Sequence, residues 1–176
     1  MRDTRARLRI TFAFLFCCAA CVAWGESSKI EFRNLFWPMS FSIEILTDGS
    51  AKWHSGIDAG GSGRVCPESS EYNCLVLDGA WKFAVPRSLI ERPRIGETWQ
   101  FDDTSFELVE LVWLHDAPDT SRSLVIRSTS PSGGISFNFS EAHGIQAVTY
   151  LIPSDDDMSE VEASVWINTA MLAKGE

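Results

Sequence analysis

The stretch from Cys66 to Pro86 constrains the fold of this chain more than any other. It places two cysteines eight positions apart, then a continuous apolar run from Cys74 to Leu77, an Asp78-Gly79 turn signal, and Trp81, Phe83 and Val85 alternating with Lys82 and Ala84. Alternation with a period of two belongs to a strand with one buried face, and Asp-Gly between two such runs marks a hairpin. A two-residue turn is expected here, setting Val76 opposite Trp81 and Cys74 opposite Phe83. A Cys66–Cys74 disulfide would then pin the polar loop from Pro67 to Asn73 to the open end of that hairpin.

That pairing requires an oxidising compartment, and the N-terminus argues for one. Arg2, Arg5, Arg7 and Arg9 precede an apolar run of 15 residues, Ile10 to Trp24, followed by Gly25. A basic start, a hydrophobic segment shorter than the roughly 20 residues of a membrane span, and small residues at its end describe a secretory signal peptide. The expected organisation is a signal peptide over residues 1–25 and one exported β domain over 26–176. A second processing route is open: Cys18-Ala19-Ala20-Cys21 is similar to a bacterial lipobox, with Cys21 as the lipidated residue. Cys17, Cys18 and Cys21 all lie in the export segment, which leaves Cys66 and Cys74 to each other.

Residues 1–25 hold four arginines and one aspartate, a net +3, so their removal takes the formal charge from −9 to −12 over 151 residues. An acidic surface repels nucleic-acid phosphates and anionic headgroups, so no nucleic-acid partner is expected and membrane association is expected only through Cys21.

The rest of the chain repeats the strand signature. Ile30 and Phe32 suggest a short edge strand, interrupted by Phe36-Trp37-Pro38. Phe41, Ile43 and Ile45 alternate with Ser42 and Glu44 before Asp48-Gly49. A three-residue loop, Thr47-Asp48-Gly49, sets Trp53 opposite Ile43 and Lys52 opposite Glu44, a favourable charge pair, with Gly49 in the left-handed region. Gly56 to Gly63 has no apolar period and reads as a loop; it fits neither a Walker motif nor a nucleophile elbow around Ser62. Pro86 to Pro93 reads as a solvated connection and contains, with Arg94 just beyond it, the one basic cluster of the chain: Arg87, Arg92 and Arg94. Ser105 to Leu114 is apolar on both alternating sets and is expected in the middle of a sheet. Strands follow at 123–128, 135–139, 145–152 and 161–167, the last with Val161, Ala163, Val165 and Ile167 inward and Ser164 and Trp166 on the polar side. Nine to ten short strands without a convincing helix predict an all-β antiparallel sandwich or barrel with one disulfide.

No cluster of residues commits the chain to chemistry. His54, His115 and His143 share no metal-ligand spacing, and no Ser/His/Asp set is selected over others. Asp102-Asp103 and Asp155-Asp156-Asp157 lack the alternation and terminal glutamate of a calcium loop. Asn138-Phe139-Ser140 has the form of a glycosylation sequon. No metal, cofactor or catalytic residue is assigned, and enzymatic activity is left open with a lean against it. Trp37, beside Pro38, and Trp166 stand apart from the core tryptophans. With Arg87, Arg92 and Arg94 they are the candidate contact residues. The expectation is an exported binding module, with a protein partner as the commonest form of such binding. A structural envelope lipoprotein anchored at Cys21 and a secreted hydrolase are the alternatives.

Overall fold

The computed structural model describes residues 27–56, 59–114, 121–130, 133–153 and 160–172. Residues 1–26, including Cys21, together with His115 and the Asp155-Asp156-Asp157 run, lie outside them. Among the described residues twelve strands form one antiparallel sheet: β1 (Ser28–Asn34), β2 (Ser40–Ile45), β3 (Ser50–Ser55), β4 (Ala59–Val65), β5 (Tyr72–Leu77), β6 (Lys82–Pro86), β7 (Thr98–Phe101), β8 (Thr104–Leu114), β9 (Ser121–Ser130), β10 (Gly133–Ser140), β11 (Gly144–Pro153) and β12 (Glu160–Asn168). Two short helices are added, α1 (Arg87–Glu91) between β6 and β7, and α2 (Thr169–Leu172) after β12. The order across the sheet is β6-β5-β4-β3-β2-β1-β12-β11-β10-β9-β8-β7, two six-stranded meanders joined at β1 and β12. β1 is therefore a central strand, not an edge. The sheet curls into a nearly closed barrel, the second of the two expected architectures.

The hairpin at Asp48-Gly49 has the expected register: Ile43 pairs with Trp53, Glu44 with Lys52 and Ile45 with Ala51. Gly49 has φ +81°. The hairpin at Asp78-Gly79 does not. Val76 pairs with Lys82, Leu75 with Phe83 and Cys74 with Ala84, so the loop has three residues and the register moves by one. A two-residue type I′ turn needs positive φ at both residues; Gly79 has it and Asp78 does not. Asp78 is held instead by β4, its amide donating to the Ser62 carbonyl at 2.9 Å and its carboxylate accepting the Ser62 hydroxyl at 2.8 Å.

The glycine run read as a loop is strand β4. Its glycines make room for a neighbour: a Cβ on Gly61 would stand 2.6 Å from Trp53 Nε1, and one on Gly63 2.3 Å from the Val76 carbonyl oxygen. The Trp53 indole lies in the space left by Gly61 and donates to the Asp78 carbonyl at 3.1 Å. A second correction concerns β8, which is next to the edge strand β7. A bulge between Leu108 and Glu110 lets Leu108 pair with Ile126 and Leu111 with Leu124, both on the inner face. Apolar residues on both alternating sets record this change of phase.

Directly paired residues share a face, and this rule shows how the barrel ends meet. Phe83 faces inward, 5.3 Å from Phe137 and 5.1 Å from Phe139. Cys74, Val76 and Ala84 alternate with the inward set and point outward, yet they are 4%, 3% and 0% exposed. What covers them is the inner face of β7. Phe101 packs on Tyr72 at 5.2 Å, Trp99 Nε1 donates to the Ala84 carbonyl at 2.9 Å, and the Tyr72 hydroxyl donates to the Gln100 carbonyl at 3.3 Å. Asp103 pairs with Lys82 and Asp102 with Arg64 across the same contact. The sheet thus laps over itself, with the β5–β6 hairpin inside the roll. An apolar run on β5 is what such a doubly covered strand requires. Cys66 and Cys74 are joined, with Cα atoms 5.1 Å apart, at the end of this inner hairpin.

Candidate functional site

An antiparallel meander places its connections alternately at the two ends of the barrel. The end bearing the β4–β5 loop and the disulfide is closed by α1, whose Leu89 and Ile90 are buried in the core. Arg122 Nη2 donates to the Ile90 carbonyl there at 2.5 Å. The Pro86–Pro93 connection is therefore a plug and not a wholly solvated link.

The opposite end, with the β1–β2, β3–β4 and β5–β6 connections, holds a cavity of about 450 Å³. Its walls come from the inner faces of β1–β3, β11 and β12 and from the turn preceding β6: Phe32, Phe41, Trp53, Trp81, Tyr150 and Trp166 carry most of the apolar lining. Phe41 is the hub. It stacks on Trp53 at 5.6 Å and 20°, and lies 6.0 Å from Trp81 and 6.2 Å from Trp166. Trp81 in turn meets Phe137 edge-on at 5.4 Å. Phe32, Trp53, Trp81 and Trp166 are thus each braced against the Phe41 ring, which presents a preformed surface.

Polar atoms are few. Ser55, Ser164 and Tyr150 reach the cavity, and Ser164 Oγ accepts a hydrogen bond from Asn34 Nδ2 at 2.6 Å. Burial pushes the Tyr150 phenol above its ordinary value, so it is neutral and keeps its proton through the physiological range. No charged side chain stands among the described residues of the lining. The arrangement can hold a neutral, largely apolar molecule and offer it a hydroxyl partner.

The structure separates the residues singled out in the sequence. Trp166 faces the cavity beside Ser164, so the expected faces of β12 are reversed: Trp166 pairs with Asn34 on one side and Val148 on the other, all on the inner face. Trp37 lies in the β1–β2 loop at the same end and is 62% exposed. Arg87, Arg92 and Arg94 belong to the α1 connection at the opposite end, where Arg87 Nε donates to the Ser70 carbonyl at 2.9 Å. The aromatics and the arginines therefore do not form one patch. Trp53, Trp81 and Phe41, read as core, are also wall; only the register of the hairpins could have placed them around one space.

His54 lies on the outer face, paired with Ser42 and Gly60, while His143 sits in the β10–β11 turn at the other end. Asp102 and Asp103 are engaged by Arg64 and Lys82, and the lysine holds the Asp103 carboxyl below its ordinary range. No group of three or more metal-ligating side chains occurs among the described residues.

What fold and site define together is an overlapped antiparallel β barrel with an aromatic cup at one end. Comparison with protein families, with curated proteins and with solved structures finds no match for the chain.

Proposed function

We propose that this chain is an exported binding module that holds a small, neutral, largely apolar ligand in the aromatic cup. The observation that carries this reading is the cavity of about 450 Å³, walled by mutually locked rings and free of charged lining among the described residues. A dry apolar cavity of about 150 Å³ accepts one benzene, so the cup accommodates a ligand of roughly three such rings, or about 18 heavy atoms. At about 0.3 kcal/mol per atom, such a ligand binds with a Kd on the order of 100 µM, and tighter if the cup is well filled. The proposed compartment, periplasmic or extracellular, rests on the basic and apolar segment from Arg2 to Trp24. A small ligand accounts for the cup better than the protein partner expected from the sequence, because a half-open cup of this volume admits a molecule or one side chain more readily than a broad surface.

Titration with N-phenylnaphthylamine, a neutral probe of suitable size, tests the reading through its fluorescence. Saturable one-to-one binding is expected, weakened in Trp166→Ala and abolished in Ala59→Phe, which fills the mouth. Binding that is non-saturable, or unchanged in Ala59→Phe, sinks the proposal. Unchanged thermal unfolding of Ala59→Phe keeps misfolding out of the result.

A further inference from the structure

We propose that the β1–β2 loop, Leu35 to Met39, is a lip that inserts shallowly into a zwitterionic lipid surface and brings the mouth of the cup to it. Five successive apolar residues form the tip, and Leu35, Phe36, Trp37 and Met39 are 55%, 62%, 62% and 46% exposed. Single exposed apolar residues are ordinary; a contiguous set in one exposed loop marks a contact surface.

The loop backbone identifies the kind of surface. The Leu35 amide donates to the Val165 carbonyl at 2.9 Å, and the Met39 amide to the Trp37 carbonyl at 2.7 Å. The amides of Phe36 and Trp37 both donate to Asn34 Oδ1, at 2.8 and 3.0 Å. Pro38 has no amide hydrogen, so every backbone N–H from residue 35 to 39 is satisfied within the protein. A medium without hydrogen-bonding partners imposes this requirement, whereas a loop made for water can leave its donors to solvent.

Charge agrees with this. From Asn34 to Ile43 the sequence carries no ionisable side chain, so the tip enters an apolar layer without dehydrating a charge. Tryptophan, with an apolar body and one N–H, suits the interface between headgroups and chains. Below the tip the outer faces of the strands carry Arg33 nearest to it, then Glu31, Lys29 and Lys52, which limits the depth of entry. The acidic chain, −9 overall, favours zwitterionic over anionic lipid. A protein partner would offer polar groups for the loop amides to meet; here those amides are already met within the protein, and a lipid layer asks for none.

Continuity with the cup completes the argument, and this step alone rests on the ligand reading above. Phe32 and Phe41, which flank the loop in β1 and β2, line the cavity, and Asn34, which organises the loop, donates to Ser164 of the cavity wall. An apolar ligand of this size partitions into membranes, and the lip places the mouth where the ligand is concentrated. The sequence alone tied membrane contact to Cys21; the loop supplies a route independent of lipidation.

Partitioning of the exported protein onto phosphatidylcholine vesicles with brominated chains tests the proposal, with all variants sharing one N-terminus. The parent protein is expected to float with the vesicles and to show partly quenched tryptophan emission, a quenching that Trp37→Ser removes. Phe36→Ser/Trp37→Ser should lower partitioning by about a hundredfold. Trp113→Ser, an exposed tryptophan at the far end of β8, should leave it unchanged. Met39→Lys, a single exposed change that spares the Asn34 bonds, should also weaken partitioning and guards against misfolding of the double variant. No partitioning of the parent protein, equal partitioning of the double variant, or loss of a self-associated or protein-bound state in its place would each overturn the lip. The two proposals fail separately: Trp166→Ala, which alters the wall inside the cup, should weaken the probe and leave vesicle partitioning intact.

Discussion

The two meanders of this barrel meet twice, and the two junctions are built on different principles. At β1–β12 the contact is a backbone ladder, with Phe32, Arg33 and Asn34 paired to Asn168, Ile167 and Trp166. At the other junction β6 and β7 share no ladder. One edge lies over the other, and the unused edge groups are met by side chains: the Trp99 indole on the Ala84 carbonyl and the Tyr72 phenol on the Gln100 carbonyl. An exposed strand edge invites pairing with another chain, and covering it is one remedy. A ladder spreads its stability over many equivalent bonds, whereas an overlap concentrates it in a few large side chains. Single substitutions should therefore be far more damaging at the overlap.

Trp99→Ala is the sharpest way to break that contrast. Trp99 stacks on Phe106 at 5.7 Å and 8°, besides its bond to Ala84. Its removal should cost about 3 kcal/mol, at the low end for a tryptophan because the residue is only half-buried. It should also speed amide exchange in β6 and β7 while leaving β1 and β12 protected. Chemical denaturation with hydrogen exchange measures both, and equal loss of protection at the two junctions would show that the overlap is not a separate weak seam.

Next in size is the disulfide, which holds the end of the hairpin that lies inside the roll. Cys66→Ser/Cys74→Ser should lower stability by about 2–3 kcal/mol, the loop-closure value for a separation of eight residues. The strands should persist, since β4 and β5 remain paired through Gly63–Leu77, Arg64–Val76 and Val65–Leu75. Far-ultraviolet circular dichroism with denaturant titration checks this. Loss of the sheet signal would mean that the staple organises the overlap instead of merely securing it.

The parts of this architecture that could be read in the sequence are those in which local rules suffice. Glu44 opposite Lys52, with Gly49 at the left-handed position, set one hairpin correctly. The pair Cys66–Cys74 and the alternation of Phe137 and Phe139 likewise needed nothing beyond their neighbours. Where a distant partner decides the outcome, the pattern misled. β4 has almost no side chains to show a period, and its glycines make sense only beneath Trp53 and against Val76. Asp78 takes its turn geometry from Ser62, on that same unrecognised strand. The overlap was hidden because a doubly covered strand reads like a central one. Of the site, Trp166 was singled out although its face was misread, and Trp37 was singled out at the loop. The cup could not be seen, since ring-on-ring walls and ring-on-ring core share one sequence signature.

The smallest expected effect lies on the outside of the overlap, at Lys82 and Asp103. The lysine ammonium lowers the Asp103 carboxyl below its ordinary range, first through their hydrogen bond and then through charge attraction. A carboxyl whose folded-state pKa is depressed contributes stability above its unfolded value, about 3.9, and loses that contribution as pH falls through the lowered value. Asp103→Asn should therefore be slightly destabilising at neutral pH, and the difference from the parent protein should vanish in acid, below the ordinary aspartate range. Because the Asp103 side chain is 81% exposed, added salt should shrink the effect at neutral pH as well. Paired denaturation curves at neutral and acid pH, at low and high salt, provide the measurement. A difference that persisted in acid would mean that Asp103 acts through the conformation of the β7–β8 turn, whose Asp102 has φ +53°. The overlap would then be secured from outside by backbone shape, as the β1–β12 junction is by its ladder, and the contrast between the two junctions would narrow.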